Sequence, residues 1–458
     1  MSKFASLNKP VMQSVPEFRV YTQRHIDQIP QFLRLPPELR FEIKVASSIL
    51  PFRVNQYVVD ELINWDDARN DPMFILVFPQ REMIPSSFFN QMGNLVRAGA
   101  GTNEIETLAK ELRRGLNPHP AGQMELNVPR LDDQKLPGMQ HKYSETLLFF
   151  PGQGQVCHSF CTFCFRWAQF VGDKSLRFSS NETDKLYHYL STHHEITDLL
   201  ITGGDPMVMK THHLKHYLKR INEPAVDHVQ NIRIGTKALT YWPQRFVTDP
   251  DADDLIRFLE HLVESGKHVS IMAHQSHWRE LEPELTRTAI TRLRDAGAEI
   301  RSQGPVLANI NDDYRIWAKM WREQVRLGIV PYYMFVERNT GAKRYFEVPL
   351  VRCWEIYRAA MKNISGLART ARGPSMSTGP GKVEIQGVTE IQGKKVFVLR
   401  FIQGRIADWI QRPFFADFDP DATWLSDLRP PFGEDKFFFE DDYFQILAKN
   451  NALKLVQN

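Results

Sequence analysis

The sequence has little cysteine, no long apolar run and almost no net charge. Four cysteines among 458 residues are too few for a disulfide scaffold. No stretch of about 20 consecutive apolar residues occurs, so a membrane span is not expected. Lys and Arg number 57 against 54 Asp and Glu, a net charge of +3. This balance gives no electrostatic reason to expect nucleic acid or an anionic membrane as a partner.

The first residues, MSKFASLNKPVMQSVPEF, also lack the apolar stretch of a secretory signal, so we expect a cytoplasmic protein. Hydrophobic residues make up 42% of the chain, enough for a sizeable core. The length predicts about three domains, or one large domain with additions. No internal repeats or low-complexity tracts occur.

Composition and periodicity divide the chain into four parts. Residues 1–116 read as a helical N-terminal region, in which Ile105, Leu108 and Leu112 keep a helical spacing. A linker rich in Pro, Gly and Asp follows at 117–141. Residues 142–345 alternate strands with helices, and 346–458 form a C-terminal segment.

About six short apolar runs in the third part predict parallel strands with helical crossovers. Polar residues follow these runs, and the carboxyl ends of parallel strands carry the active site in α/β folds. The intervening helices show apolar stripes, such as the one from Leu255 to Val263. The predicted strands include Leu147–Phe150, 199–201, 232–234 and 269–272, with two more near Ile300 and Val330.

Three of the four cysteines, Cys157, Cys161 and Cys164, fall within eight residues with the spacing Cys-x3-Cys-x2-Cys. Three thiolates on one loop can hold three corners of a cubane iron–sulfur cluster and leave the fourth iron open. A structural zinc site is the alternative, but zinc would need His158 or Cys353 as its fourth ligand.

The cysteine spacing, with Phe163 before the third cysteine, resembles the radical S-adenosylmethionine superfamily. That resemblance implies an α/β fold with a partial (β/α)6 barrel, a 4Fe–4S cluster and bound S-adenosylmethionine. Thr202-Gly203-Gly204-Asp205 resembles the element that binds the methionine amino group. Its glycines would let the backbone approach the ligand, and its carboxylate would accept from an ammonium.

Further motifs resemble the lysine 2,3-aminomutase family, whose members also use pyridoxal phosphate. The resemblance covers roughly three quarters of the chain and implies a cofactor lysine after a Gly-rich turn. Walker A spacing is absent, so a nucleotide phosphate loop is not supported. The motifs are Ser377–Lys382, Pro331-Tyr332-Tyr333, Asn70-Asp71-Pro72, Pro137-Gly138-x-x-His141-Lys142-Tyr143, Arg233–Lys237 and Pro243-Gln244-Arg245.

By this resemblance Lys382 forms the Schiff base with pyridoxal phosphate. Lys142 stands where the family has an arginine for the cofactor phosphate, and it supplies charge without a bidentate fork. Arg166 matches the arginine that pairs with the substrate carboxylate. His274 matches a position near pyridoxal phosphate, and Gln303 one near S-adenosylmethionine, although either side chain could equally make only core or loop hydrogen bonds.

The substrate positions depart from those of the lysine enzymes. Arg338 and Ser375 stand where those enzymes place two aspartates around the distal ammonium of lysine. A cation and a hydroxyl there favour an acidic side chain such as that of glutamate. Glu337 is one residue away, and a one-residue slip would restore a carboxylate. Arg338 could instead face solvent or pair with Glu337.

The sequence therefore predicts an isomerase, a 2,3-aminomutase that moves an α-amino group to Cβ, on glutamate or another acidic or polar amino acid. The alternatives are lysine 2,3-aminomutase itself, another radical reaction on a pyridoxal-bound amino acid, and a zinc-binding protein without enzyme activity. Expected partners are the amino acid, an external electron donor such as flavodoxin or ferredoxin, and a second copy of the chain. The aromatic, acidic tail from Pro413 to Glu440 could be a lid, an oligomer contact or a cover for the core.

Overall fold

The computed structural model describes residues 18–118, 125–132, 134–172 and 177–455, with side chains through residue 450. One mixed sheet of 11 strands runs through the molecule and is flanked by helices, which confirms the predicted α/β class. The partial barrel and the four domain boundaries stay predictions.

The N-terminal region is helical and carries a short antiparallel ribbon. It has a hydrophobic core of its own, which also takes in Phe163 and Trp167 from the cysteine loop. The region therefore packs as a wall against that loop. Its elements are β1 (Val20–Thr22), α1 (Pro30–Leu33), α2 (Pro37–Ile49), β2 (Arg53–Asn55), α3 (Pro72–Ile75), α4 (Ser86–Arg97) and α5 (Thr102–Arg114).

Three short strands follow, and they lie partly inside the predicted linker: β3 (Arg130–Leu131), β4 (Gln134–Lys135) and β5 (Met139–Tyr143). The third of them, β5, pairs antiparallel with the first strand of the next region. It thereby forms one edge of the large sheet.

Strands and helices then alternate as predicted. Adjacent strands pair in parallel and in chain order from β6 to β12. The elements are β6 (Thr146–Phe149), α6 (Thr183–Thr192), β7 (Asp198–Ile201), α7 (Thr211–Leu218), β8 (Asn231–Thr236), α8 (Ala238–Tyr241), α9 (Gln244–Val247), α10 (Ala252–Glu264), β9 (His268–His274), α11 (Glu284–Asp295), β10 (Glu299–Val306), α12 (Tyr314–Arg326), β11 (Val330–Val336), α13 (Lys343–Phe346), α14 (Leu350–Lys362) and β12 (Arg372–Ser377).

The parallel part has seven strands, one more than the six predicted. The additional strand is β12, which pairs with β11 through Phe335 and Ser375. Its sequence, Arg-Gly-Pro-Ser-Met-Ser, has one large apolar residue, so no apolar run or alternation reveals it. The strand β12 belongs to the sheet because it pairs with β11 on one side and β13 on the other.

The helix predicted from the stripe at Leu255 is confirmed as α10. It buries Leu255, Leu259 and Leu262 against the sheet. Gly266 follows with a φ of +90°, a conformation that glycine adopts without steric cost.

The C-terminal segment continues the sheet with antiparallel strands β13 (Gly381–Ile391), β14 (Lys394–Gly404) and β15 (Pro413–Asp417), followed by α15 (Glu440–Leu455). Phe414 and Phe439 of the aromatic tail are buried and lie 5.6 and 5.0 Å from the Phe401 ring, centroid to centroid. The tail therefore covers the core on this hairpin. No helix of the described chain is long and apolar enough to cross a membrane.

Candidate active site

The loop with the three clustered cysteines leaves the carboxyl end of β6 and runs along the N-terminal region. Hydrogen bonds between the two segments hold it there. The Phe160 amide donates to the Arg53 carbonyl at 2.8 Å, and the Thr162 hydroxyl donates to the Ile75 carbonyl at 2.8 Å. These contacts with the N-terminal region thus fix the path of the cysteine loop.

The three thiols are free, and all three have raised pKa values. Burial is the main cause: the pKa of Cys157 lies well above its ordinary value, that of Cys161 at about 12 and that of Cys164 at about 11. Cys157 and Cys161 are raised further by neighbouring thiols, because adjacent thiolates repel. A bound metal centre removes this penalty, since a coordinating thiol is deprotonated outright.

The thiols do not form a site for a single metal ion. Across the described residues, no three His, Cys, Asp or Glu side chains lie close enough to share one ion. His158 Nε2 lies 3.1 Å from an Asp205 oxygen, and the Cys353 thiol donates to the Val348 carbonyl. The Cys353 thiol is thus engaged elsewhere, and the described residues place no fourth ligand beside the three thiols, an arrangement that fits a cubane with one open iron better than tetrahedral zinc.

Gly203 and Gly204 follow β7 and lie against the start of the cysteine loop. A Cβ on Gly204 would come within 2.7 Å of the Val156 backbone, and Gly203 has a φ of +149°. The Gly204 amide donates to the Gly154 carbonyl at 3.1 Å. The close approach that these glycines allow is therefore to the cysteine loop itself, a contact that the motif alone does not reveal.

Asp205 is buried and fully hydrogen-bonded. One carboxylate oxygen accepts from the Met207 amide at 3.0 Å and the Thr236 hydroxyl at 2.6 Å. The other accepts from the Lys237 amide at 2.9 Å and lies 3.1 Å from His158 Nε2. Burial alone would raise the pKa of Asp205, but these hydrogen bonds outweigh it and lower the pKa. The carboxylate predicted to bind an ammonium ties the cysteine loop to the ends of β7 and β8.

A buried ion pair that the sequence analysis missed lies beside the cysteine loop. Lys237 Nζ is 2.7 Å from a Glu280 oxygen, and both side chains are almost fully buried. The other Glu280 oxygen accepts from the Ser276 and His277 amides. Lys237 lowers the pKa of Cys161, although burial still dominates that thiol. The sequence signal that could have revealed Lys237 is its position directly after β8, at the sheet edge where the other site residues lie.

His274 and Gln303 lie on neighbouring strands β9 and β10. The His274 ring stacks on Phe163 with 5.4 Å between centroids, and its Nδ1 has no hydrogen-bond partner. Burial, with a smaller effect of Lys237, lowers the pKa of His274 to about 3, so the imidazole is neutral at physiological pH. The Gln303 carbonyl accepts from the Gln275 amide at 3.0 Å, and its side chain is partly exposed.

Lys382 lies near the start of β13, after the Gly-rich turn. Its Nζ donates to the Gln403 side chain at 3.0 Å and sits 4.1 Å from the centre of the Tyr333 ring. Burial lowers the pKa of Lys382 well below its ordinary value, and the nearby cations Arg372, Arg233 and Arg338 lower it further. A neutral amine is the form that attacks a carbonyl to make a Schiff base.

A second lysine and an arginine lie at the same turn. Lys142 Nζ donates to the Thr378 carbonyl, and Arg405 Nε donates to the Gly379 carbonyl at 2.9 Å. Burial lowers the pKa of Lys142 well below normal, and Arg405 is the next largest cause. The sequence analysis missed Arg405, since nothing in the local sequence marks it and only the β13–β14 hairpin brings it to the turn.

Arg166 and Arg338 approach the ring of Phe165. The Arg166 and Arg338 Cζ atoms lie 5.3 and 4.3 Å from its centroid. Arg166 is buried, its Nη1 has no hydrogen-bond partner, and burial followed by Arg338 lowers its pKa to about 9. No described carboxylate forms an ion pair with either guanidinium. Two adjacent unpaired cations in a buried site call for an anion.

Ser375 and Glu337 complete the positions predicted to read the substrate. Ser375 is fully buried, and its hydroxyl has no partner. Burial raises the pKa of Glu337 to about 8, with Arg338 opposing the shift. Glu337 also raises the pKa of Cys164, whereas Arg338 lowers that of Lys382. Glu337 thus acts electrostatically on the cysteine loop, and Arg338 acts on Lys382.

The site as a whole has an excess of positive charge and several unpartnered polar atoms. The orphaned atoms include Arg166 Nη1, His274 Nδ1 and the Ser375 hydroxyl. A neutral lysine at a turn that also carries Arg405 and the amine of Lys142, which a phosphate dianion would keep protonated, fits a carbonyl cofactor with a phosphate group. The unpaired guanidiniums fit a second anionic ligand.

Comparison with known proteins agrees with this arrangement. No protein-family model matches the sequence. A provisionally named L-lysine 2,3-aminomutase of Aquifex aeolicus is 31% identical over 395 residues, which cover 86% of this chain and 91% of that protein. The L-lysine 2,3-aminomutase of Bacillus subtilis is 26% identical over 318 residues, which cover 68% of this chain and 64% of that protein.

Among solved structures, SuiB of Streptococcus suis bound to its precursor peptide SuiA matches 69% of this chain and 66% of that chain. The TM-score is 0.35 at 14% identity, too low to support a conclusion about the fold. The sequence relatives carry the assignment. The chain belongs to the lysine 2,3-aminomutase family of radical S-adenosylmethionine isomerases, whose cofactors are a 4Fe–4S cluster, S-adenosylmethionine and pyridoxal phosphate.

Proposed function

We propose that this protein moves the α-amino group of an amino acid to Cβ, and that the amino acid is L-glutamate or another one with an acidic or polar side chain. The observation that carries the substrate assignment is the pair of unpaired guanidiniums at Phe165. Arg166 would bind the substrate α-carboxylate, and Arg338 the carboxylate of its side chain.

The residues that would hold the iron–sulfur cluster are Cys157, Cys161 and Cys164. Gly203, Gly204 and Gln303 would border S-adenosylmethionine at the adjacent strand ends. When bound, the cofactors supply abstraction of a hydrogen atom from an unactivated C–H bond and a carbonyl that condenses with an amine. The remaining chemistry, namely orientation, charge compensation and proton placement, belongs to the side chains of the chain itself.

Lys382 would be the amine that holds pyridoxal phosphate. Its depressed pKa keeps Nζ unprotonated, and the Tyr333 ring beneath it fixes the direction of approach. Lys142 and Arg405 would receive the phosphate, and a dianion between them would offset their mutual repulsion. His274, neutral and with a free Nδ1, can offer a hydrogen bond without adding charge.

L-Lysine itself fits this site poorly. Its ammonium would meet Arg338, and a charge misplaced in a partly dry site costs several kcal/mol. Burial raises the pKa of Glu337 to about 8, so its charged form is costly in this site and it is a weaker counter-charge for an ammonium than two aspartates would be. Ser375 could donate a hydrogen bond to a carboxylate, which again favours an acidic substrate.

The test is anaerobic reconstitution followed by an amino-acid screen, with β-isomers identified by mass spectrometry and NMR. We expect β-glutamate, or the β-isomer of another acidic or polar amino acid, to form faster than β-lysine. Arg338→Gln should lower kcat/KM for the acidic substrate by about 10- to 150-fold, the value of one charge-assisted hydrogen bond. Cleavage of S-adenosylmethionine by the reduced variant should persist.

Glu337→Gln is the matched control, since it changes the neighbouring residue and should leave the substrate preference in place. Efficient turnover of L-lysine with none of glutamate would refute the acidic-substrate assignment. A different product from a bound amino acid would replace the aminomutase reaction by another radical reaction. Stoichiometric zinc without iron uptake would overturn the radical chemistry altogether, and Cys161→Ala should abolish cleavage of S-adenosylmethionine if that chemistry is right.

A further inference from the structure

A cavity of about 600 Å³ lies between the cysteine loop and the N-terminal region. Its wall includes Arg53 of β2 and Phe160, and the Phe160 ring stacks on Phe170 with 4.6 Å between centroids. Phe163, on the same loop, stacks on His274. Gln155 and Val156, which line the cavity, also lie against Gly203 and Gly204.

The cavity lies one residue from two of the cluster cysteines. Val156 and Phe160, which line it, immediately precede Cys157 and Cys161. An electron that reaches this wall has a short covalent path to the proposed cluster ligands.

The described lining carries four arginines, Arg24, Arg53, Arg113 and Arg177, and one carboxylate, Glu106. Glu106 is already paired with Arg113 at 2.8 Å. This local excess of positive charge contrasts with the whole chain, whose charges nearly balance. The basic character therefore belongs to this place and is not a general property of the protein.

The charges are arranged from the surface inwards. Arg24 and Arg177 are exposed, whereas Arg53 is more buried and its Nε has no hydrogen-bond partner. Arg53 also interacts electrostatically with the Cys157 thiol. Scattered exposed arginines do not converge on a small anion, but they attract a large acidic surface over about a Debye length.

We propose that this cavity is the docking site for an acidic one-electron carrier protein, with Arg24 and Arg177 at its rim and Arg53 as the cation that links the dock to the iron–sulfur cluster. The proposal rests on the radical chemistry proposed for this protein. In the step, the reduced carrier loses one electron and the oxidised cluster gains it. No atom, proton or leaving group moves.

The test uses reconstituted holoenzyme and a reduced acidic flavodoxin, with electron transfer to the cluster followed by stopped-flow absorbance. The double variant R24E/R177E should lower the second-order rate constant at least about tenfold at low ionic strength and should weaken its salt dependence. Photochemical reduction with deazaflavin needs no dock, so the photoreduced variant should still cleave S-adenosylmethionine.

The control K362E/K394E makes the same change in net charge at exposed lysines of the C-terminal half, and it should leave the carrier rate unchanged. Equal rates for R24E/R177E and the native protein, or equal slowing in both double variants, would overturn the dock. Inorganic phosphate binding that is lost in R24E/R177E, with an unchanged carrier rate, would make the cavity a small-anion site instead. Cleavage of S-adenosylmethionine by the photoreduced native enzyme tests the radical chemistry separately. A failure of the radical chemistry can therefore be distinguished from a failure of the docking proposal.

The role of Arg53 can be tested separately, through the reduction potential of the cluster. A positive charge beside the cluster stabilises the reduced, more negative state, so Arg53→Gln should move the midpoint potential in an EPR-monitored titration to a more negative value. Arg53→Lys, which keeps the charge, should restore most of the native potential. An identical potential in Arg53→Gln would show that Arg53 is not the link to the cluster.

Discussion

Asp205 offers the sharpest test of what the Gly-Gly-Asp element does. Asp205→Ala removes the acceptor of four donors: His158 Nε2, the Thr236 hydroxyl, and the amides of Met207 and Lys237. The hydroxyl can rotate, but the two buried backbone amides and the imidazole have few other partners. At about 1–3 kcal/mol for each buried unsatisfied donor, these three groups cost about 3–9 kcal/mol of unfolding free energy.

Asp205→Asn should cost less. Its remaining oxygen can serve Met207 and Thr236, and His158 can change tautomer to accept from the new amide, because its Nδ1 has no other partner. The Lys237 amide would still face a donor, so we expect a loss of about 1–3 kcal/mol. The assay is denaturant unfolding of the apoprotein under reducing conditions, with iron content measured after reconstitution.

The exposed carboxylate of Asp184 provides the control, since Asp184→Ala should change stability by less than about 0.5 kcal/mol. If Asp205 served chiefly as a ligand for S-adenosylmethionine, Asp205→Asn would keep native stability and iron content and lose only affinity for that molecule. Native stability in Asp205→Ala would refute the structural role argued from its four hydrogen bonds.

Three further predictions follow from the cofactor region and its surroundings. Borohydride reduction of the holoenzyme should fix a pyridoxyl group on Lys382, seen by peptide mass spectrometry; a label on Lys142, the second amine with a depressed pKa, would reverse the two roles. Arg405→Gln should weaken pyridoxal phosphate binding about 10- to 150-fold in an absorbance titration without changing iron content, whereas Arg358→Gln on the exposed face of α14 should not. Burial, with Arg279 and Lys319, lowers the pKa of His277 to about 3, so below pH 6.5 the unfolded chain binds a proton that the folded chain does not. Unfolding free energy should therefore fall with falling pH, with about 2 kcal/mol lost at pH 5 through His277, and His277→Asn should flatten that part of the profile; equal pH profiles would contradict this reasoning.

Local patterns in the sequence predicted much of the fold and the cluster residues. The apolar stripe at Leu255 and the apolar runs near Leu147 and Ile232 are patterns among residues only a few positions apart. They can therefore be recognised as helix and strands without the tertiary structure. The three cysteines are likewise close in sequence, and their number and spacing favour an iron–sulfur cluster over structural zinc. The strand β12 was not predicted, because its mostly polar sequence shows neither an apolar run nor an alternation of apolar and polar residues.

Contacts between distant segments could not be predicted in this way. Arg405 reaches the Gly-rich turn only through a long hairpin, and Lys142 reaches the same turn from a strand more than 200 residues earlier. The roles of Gly204 and Asp205 were expected from a motif, but their partners lie on the cysteine loop and on β8. Nothing in the motif distinguishes a carboxylate that faces a ligand from one that is saturated by the protein.

The sequence by itself therefore determined the α/β class and the close spacing of the three cysteines, because both rest on short-range patterns. The cofactor role of Lys382 follows only from the resemblance to a known family and stays a prediction. Only the tertiary structure shows which cations remain unpaired and which donors hydrogen-bond to Asp205. It also shows that the N-terminal region packs against the cysteine loop. The physical reason is that pairing and burial depend on where remote segments meet. A guanidinium such as that of Arg166 becomes an anion site only when folding removes it from water and brings no carboxylate to it.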